Sequence, residues 1–202
     1  NEYKDHRSFL LALASLASAD SKTCFLLVGR DVDPDNITLM RWIEETGHAD
    51  RFRLLGERSD MPAIFASMDI FCLHSRSEGF PNVLGEAMCM GLPSVVTDVG
   101  DAGMLLGDAG LVVSPQDPEA LAHSLLTLIQ SSPEARVSLG NIARERIKEN
   151  YSIEGVNQSM AVHKYRVLLP MLVGNISKIS KISKKSNYEW SEKYISRIVY
   201  IY

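Results

Sequence analysis

Two glutamates, Glu78 and Glu86, are separated by seven residues in the segment Ser75-Arg76-Ser77-Glu78-Gly79-Phe80-Pro81-Asn82-Val83-Leu84-Gly85-Glu86. An ionised carboxylate only accepts hydrogen bonds, so a pair of them suits the hydroxyls of a sugar or a ribose. Between them, Gly79-Phe80-Pro81 reads as a turn and Asn82 as the cap of a helix. A helix start after a glycine-containing loop presents unpaired N–H groups and a partial positive charge, which suits a diphosphate. Glu86 would lie about one turn inside that helix, and because helical side chains lean toward the N-terminus, its carboxylate reaches back to the same cleft. Glu78 enters from the loop side. Taken singly, either glutamate could equally be a solvated loop charge or a partner of the helix dipole.

These residues need elements to hold them, and the chain alternates helical and strand-like periods as βα units around a parallel sheet do. Asp5 precedes Phe9, Leu10, Leu13 and Leu16 at helical spacing, and Cys24 to Val28 is a continuous apolar run ending at Gly29. Pro34 to Thr46 reads as a helix stopped by Gly47, Phe52 to Leu55 as a strand, and Asp60 as the cap of a short helix through Phe65. Asp69 to His74 and Ser94 to Thr97 are further strands, with the helix from Asn82 to Gly91 between them. A short strand at Leu111 to Val113 and helices from Pro118 and from Pro133 to Asn150 follow, then one from Ile153 to about Leu169. In such sheets ligands sit beyond the carboxyl ends of the strands, which singles out the loops after Val28, Leu55, His74 and Thr97.

Composition narrows the function classes. A hydrophobic fraction of 46% and a charged fraction of 23% describe a globular protein, and no apolar run reaches the roughly 18 residues of a membrane span. The net charge of −4 argues against nucleic acid as the main partner. Cys24, Cys72 and Cys89 lie in apolar runs without C-x-x-C spacing, which predicts reduced thiols and a cytoplasmic setting. The five histidines show no metal-ligand spacing, and His6 and His74 read as packing residues. Residues 1–169 are expected to form one domain and 170–202 a basic aromatic tail. The tail repeats Ile-Ser-Lys from Ile176 to Lys184 and carries Trp190 with several tyrosines. It reads as disordered, as an extra helix, or as a segment touching an anionic membrane face. Asn1 in place of a Met suggests that preceding sequence is missing.

The string Glu78-Gly79-Phe80-Pro81-Asn82, continued by Glu86-Ala87-Met88 and Gly91-Leu92-Pro93, resembles the paired-glutamate signature of group 1 (family 4) retaining glycosyltransferases. The likeness extends through Lys4-Asp5-His6, Val28-Gly29-Arg30-Asp31, Leu54-Leu55-Gly56-Glu57-Arg58, Val96 to Asp101 and Gly110 to Val113, covering about residues 1 to 150. It implies a Rossmann-like, doubly wound parallel sheet, the C-terminal half of a two-domain GT-B enzyme. It also implies a nucleoside diphosphate sugar as donor with no metal or other cofactor, a glycan or lipid-linked acceptor, and a separate N-terminal domain. Residue by residue, Glu78 would contact the transferred sugar and Glu86 the ribose. The amides of Gly79, Phe80, Asn82 and Val83 would meet sugar and diphosphate, Gly29 and Leu54 would edge the nucleotide, and Lys4 would neutralise the leaving diphosphate. Arg58 could aid the diphosphate or pair with Asp60. The family's arginine just upstream of the lysine has no counterpart, since only Asn1, Glu2 and Tyr3 precede Lys4. Two other readings compete: a nucleotide-binding module without catalysis, and a nucleotide-sugar epimerase of the same shape. Glu-Gly-Phe-Pro-Asn argues against the epimerase.

Overall fold

In the computed structural model, residues 4–151 are described with their side chains and residues 196–201 as backbone. Seven α-helices are described: α1 (His6–Ala19), α2 (Ile37–Glu45), α3 (Met61–Ala66), α4 (Asn82–Cys89), α5 (Ala102–Leu106), α6 (Pro118–Gln130) and α7 (Pro133–Tyr151). They alternate with strands β1 (Thr23–Val28), β2 (Phe52–Leu54), β3 (Ile70–Leu73), β4 (Ser94–Thr97), β5 (Gly110–Val113) and β6 (Ser196–Ile201). The expected helix from Ile153 to Leu169 lies outside the described residues.

Local signals explain most boundaries and correct a few. α6 starts as anticipated, with Asp117 Oδ1 accepting from the Ala120 amide at 2.9 Å and Pro118 in the first turn. α2 starts at Ile37, not Pro34, because Asn36 provides the cap, its Oδ1 accepting from the Leu39 amide at 3.1 Å. Asp33 closes the turn before it by accepting from the Asp35 amide. Asn82 does not cap α4. Pro81 holds the cap position and Asn82 is the first helical residue, its amide turned back on the Phe80 carbonyl at 3.0 Å. Asp60 occupies the cap position of α3 without a capping hydrogen bond, since both its oxygens are taken by Arg58. α5 was not anticipated, because five residues are too few to display a helical period.

All strand pairs are parallel, in the order β2-β1-β6-β3-β4-β5. β6 departs from the expected tail of disorder or helix: residues 196–201 fill the centre of the sheet, pairing with β1 from Thr23 to Val28 and with β3 from Ile70 to Cys72. The remaining residues of the tail lie outside those described. β1 leads outward to β2, whereas β3 leads the other way to β4 and β5, so the connections reverse direction between β1 and β3. That reversal opens a crevice at the carboxyl ends of the strands, the binding place of doubly wound sheets.

β1, β3 and β4 are buried on both faces, as parallel strands covered by helices must be. Phe25, Leu27, Ile70, Cys72 and Val95 pack on one side with α1, α2 and α6. Their neighbours Leu26, Val28, Phe71, Leu73 and Val96 pack on the other with α3, α4, α5 and α7. Arg51 is buried between these elements: its Nε donates to the Thr23 carbonyl and its Nη1 to the Ala17 carbonyl, both at 2.6 Å, with the guanidinium over the Phe25 ring. It ties the end of α1 to the start of β1.

Candidate functional site

Of the loops that leave the carboxyl ends of the strands, the one after β3 carries Ser75, Arg76, Ser77 and Glu78. His74 and Ser75 leave the strand fully inside the protein. Ser75 Oγ donates to Glu78 Oε1 at 2.6 Å, and the Ser75 carbonyl accepts from Thr97 Oγ1 at 2.7 Å. The end of β4 therefore braces the loop after β3. Lys4, one residue before the cap position of α1, donates from Nζ to the same Glu78 Oε1 at 2.7 Å. Glu78 thus holds a cation and a hydroxyl on one oxygen.

Beneath this loop, the backbone of Gly100 lies against the carbonyls of Glu78 and Gly79, and the Asp101 amide donates to the Gly79 carbonyl at 3.0 Å. The Phe80 ring packs near Tyr151 on the α4 and α7 side of the core. Of the amides at the mouth of α4, that of Asn82 is engaged by Phe80, whereas that of Val83 has no backbone acceptor among the described residues.

The helix that follows this loop contributes to an open cleft of about 330 Å³ lined by Val28, Gly29, Arg30, Glu57, Arg58, Met61, Val83 and Glu86. Of the residues singled out from sequence, Gly29, Arg58, Val83 and Glu86 meet there, while Lys4 and Glu78 do not line it and form an ion pair of their own. Leu54 is half-buried at the end of β2 and packs against the core on the α1 and α2 side. Arg58 forms a two-pronged pair with Asp60, with both contacts at 2.8 Å. That hydrogen bonding holds the Asp60 carboxyl below its usual range. Arg30 meets Glu57 at 3.8 Å on the exposed rim, a contact of little energetic weight. Burial raises the Glu86 carboxyl above the ordinary glutamate range. The neighbouring Cys89 thiol is pushed up to about 11 by its own burial, with the Glu86 charge adding to it. Sequence reasoning missed Thr97 and Gly100 as supports and Met61 as cleft wall, because each acts through a contact across the sheet ends rather than through local spacing.

A family model described as glycosyl transferases group 1 matches residues 1–131. The chain belongs to that family. Its Rossmann-like sheet corresponds to the C-terminal half of the GT-B fold. This group 1 domain is 28% identical over 123 residues to the lipopolysaccharide core biosynthesis mannosyltransferase LpsB of Rhizobium meliloti, a match spanning 59% of this chain and 35% of LpsB. It superposes on HepE of Anabaena, solved with UDP and glucose, with a TM-score of 0.68 and 26% identity, over 80% of this chain and 44% of HepE. It also shares its fold with the C-terminal domain of a group 1 protein, LpcC, from Francisella tularensis, at a TM-score of 0.64 and 19% identity, covering 76% of this chain and 82% of that one. The chain therefore spans less than half of LpsB and HepE. No described helix is long and apolar enough to cross a membrane.

Behind Lys4, the His74 ring stacks on Phe9 with centroids 3.9 Å apart, and His6 lies 5.9 Å from it. Burial lowers the His74 pKa well below its ordinary value, with His6 and Lys4 adding to the effect, and burial also takes His6 down to about 4. Both rings are neutral in the folded domain near pH 6, whereas in the unfolded chain they protonate below about pH 6.5. The unfolded state then binds the extra protons, so stability falls as pH drops from about 6.5 toward 4. Urea midpoints are expected to decline between pH 7 and pH 5, and the double variant His6→Gln/His74→Phe to flatten that decline. An equally steep decline in the double variant would assign it to other groups.

Proposed function

We propose that this domain binds a nucleoside diphosphate sugar and, completed by an N-terminal partner domain, transfers the sugar to a hydroxyl of a glycan or lipid-linked acceptor with retention. The observation that carries this reading is the Lys4–Glu78–Ser75 cluster on the loop that leads into α4, whose Val83 and Glu86 line the cleft. The cluster supplies a cation for the departing diphosphate and an acceptor for sugar hydroxyls, while Glu86 supplies an acceptor for the ribose. In the transfer, the bond from the anomeric carbon to the diphosphate oxygen breaks with its electron pair leaving on the diphosphate. The acceptor oxygen bonds to the same face of that carbon and gives its proton to the departing phosphate. Lys4 and the amide end of α4 stabilise the charge that develops, and Glu78 holds the sugar in position. The thiols of Cys24 and Cys72, buried and reduced, support a cytoplasmic setting. The basic residues beyond 176 support peripheral contact with an anionic membrane face.

Calorimetric titration with UDP, GDP and their glucose and mannose conjugates tests the donor site. Glu86→Ala is expected to weaken the nucleoside diphosphate itself by about tenfold, and Glu78→Ala to spare it while weakening the sugar conjugate by a similar factor. Absence of binding by every nucleotide would sink the donor-site reading. Equal losses for both ligands in both variants would sink the division between sugar and ribose.

A further inference from the structure

Two ion pairs, not one, cross from the start of α1 to the loop after β3. Lys4 reaches Glu78, and Arg76 Nη2 reaches Asp5 Oδ1 at 3.1 Å. Lys4 and Asp5 are adjacent in sequence, and Arg76 and Glu78 are two apart, so the pairs form consecutive rungs. Asp5 is unusual in three respects. Its backbone is left-handed, with φ 48° and ψ 43°, a conformation costly for a side chain other than glycine and best tolerated by Asn and Asp. Its carboxylate is 3% exposed, although Arg76 is 42% exposed. It also stands at the cap position of α1 and makes no capping hydrogen bond. A buried carboxylate that does not cap the helix it precedes, on a strained backbone, is explained by its partner, the guanidinium of Arg76.

We propose that Asp5 and Arg76 are positioning residues: their ion pair fixes the turn before α1 and thereby holds the Lys4 ammonium against Glu78, where it can meet the diphosphate. Arg76 is not among the residues lining the Glu86 cleft and acts through Asp5 and the backbone that joins it to Lys4. The geometric part stands on the two pairs alone, while its effect on ligand rests on the donor-site reading. The Asp5→Asn exchange is the clean probe, because asparagine keeps the shape and tolerates the left-handed backbone while losing the charge.

The test has two arms on the 202-residue chain. The first, without ligand, follows the Lys4 ammonium by nitrogen-15 NMR in the wild type, Asp5→Asn, Arg76→Gln and Arg76→Lys. The wild type and Arg76→Lys are expected to show a slowly exchanging ammonium signal, and Asp5→Asn and Arg76→Gln to lose it. The second measures UDP and GDP affinity. Each charge-removing variant is expected to weaken the nucleotide that binds by about fivefold to tenfold, with the double variant no weaker than either single one and Arg76→Lys restoring most of the loss. A Lys4 signal unchanged in both variants overturns the proposal, as does wild-type nucleotide affinity in both or losses that multiply in the double variant. If the wild type binds neither nucleotide, the donor-site reading fails and the ammonium signal still decides the positioning role. Unfolding midpoints measured alongside separate a positioning loss from a folding one.

Discussion

Gly100→Ala is expected to be among the most damaging single substitutions in the domain. Gly100 has φ +54°, a left-handed conformation, and a Cβ there would lie 2.5 Å from the Gly79 carbonyl oxygen and closer still to that of Glu78. Those atoms are backbone, so no side chain can rotate away; the loop that carries Glu78 must shift or the loop after β4 must open. Strain and overpacking together cost about 2 to 4 kcal/mol. The loop after β3 is also braced by Thr97 on the Ser75 carbonyl and by the Asp101 amide on Gly79. A shift therefore moves Glu78 away from Lys4. The expected result is a Tm lower by several degrees, together with a loss of at least tenfold in affinity for the sugar conjugate. A Tm and an affinity both equal to the wild type would show that the two loops can separate at no cost and would remove Gly100 from the site.

A second large effect is expected from deleting residues 196–202. β6 stands between β1 and β3, so its loss leaves the inner edges of both strands with unpaired amides and carbonyls in the middle of a buried sheet. Each such group costs about 1 to 3 kcal/mol when it finds no partner, and a whole domain is stable by only about 5 to 15. The truncated chain is expected to lose its cooperative unfolding transition, with amide protection lost first in Cys24–Val28 and Ile70–Leu73. Retention of a sharp transition within a few degrees of the full chain would mean that β1 and β3 close on one another without β6.

Much of the architecture was legible because parallel sheets announce themselves. Strands buried on both faces read as unbroken apolar runs, and Cys24–Val28 and Ser94–Thr97 lie within strands of the fold. Caps with a local mechanism, such as Asp117 followed by Pro118, were equally legible. Asn82 misled because a good capping residue follows a proline that takes the cap position itself. β6 was hidden for a different reason. Its partners are Thr23–Val28 and Ile70–Cys72, more than a hundred residues away, and six residues at the end of a basic, repetitive stretch offer no local sign of a central strand.

The candidate site divides in the same way. By itself the sequence determined the residue types and their spacing: two carboxylates seven residues apart around a turn and a helix start, on a chain of alternating βα units, with a lysine near its beginning. Periodicity and turn chemistry are local properties, so they can be read from the chain alone. Only the tertiary structure decided that Lys4 meets Glu78, that Asp5 gives its carboxylate to Arg76 instead of capping α1, that Arg58 is engaged by Asp60, and that Gly100 supports the Glu78 loop from below. Lys4–Glu78, Asp5–Arg76 and Gly100–Glu78 join segments far apart in the chain. The short Arg58–Asp60 pair is local, but spacing alone left Arg58 open to a ligand and Asp60 open to capping α3, and the side-chain geometry decided between them.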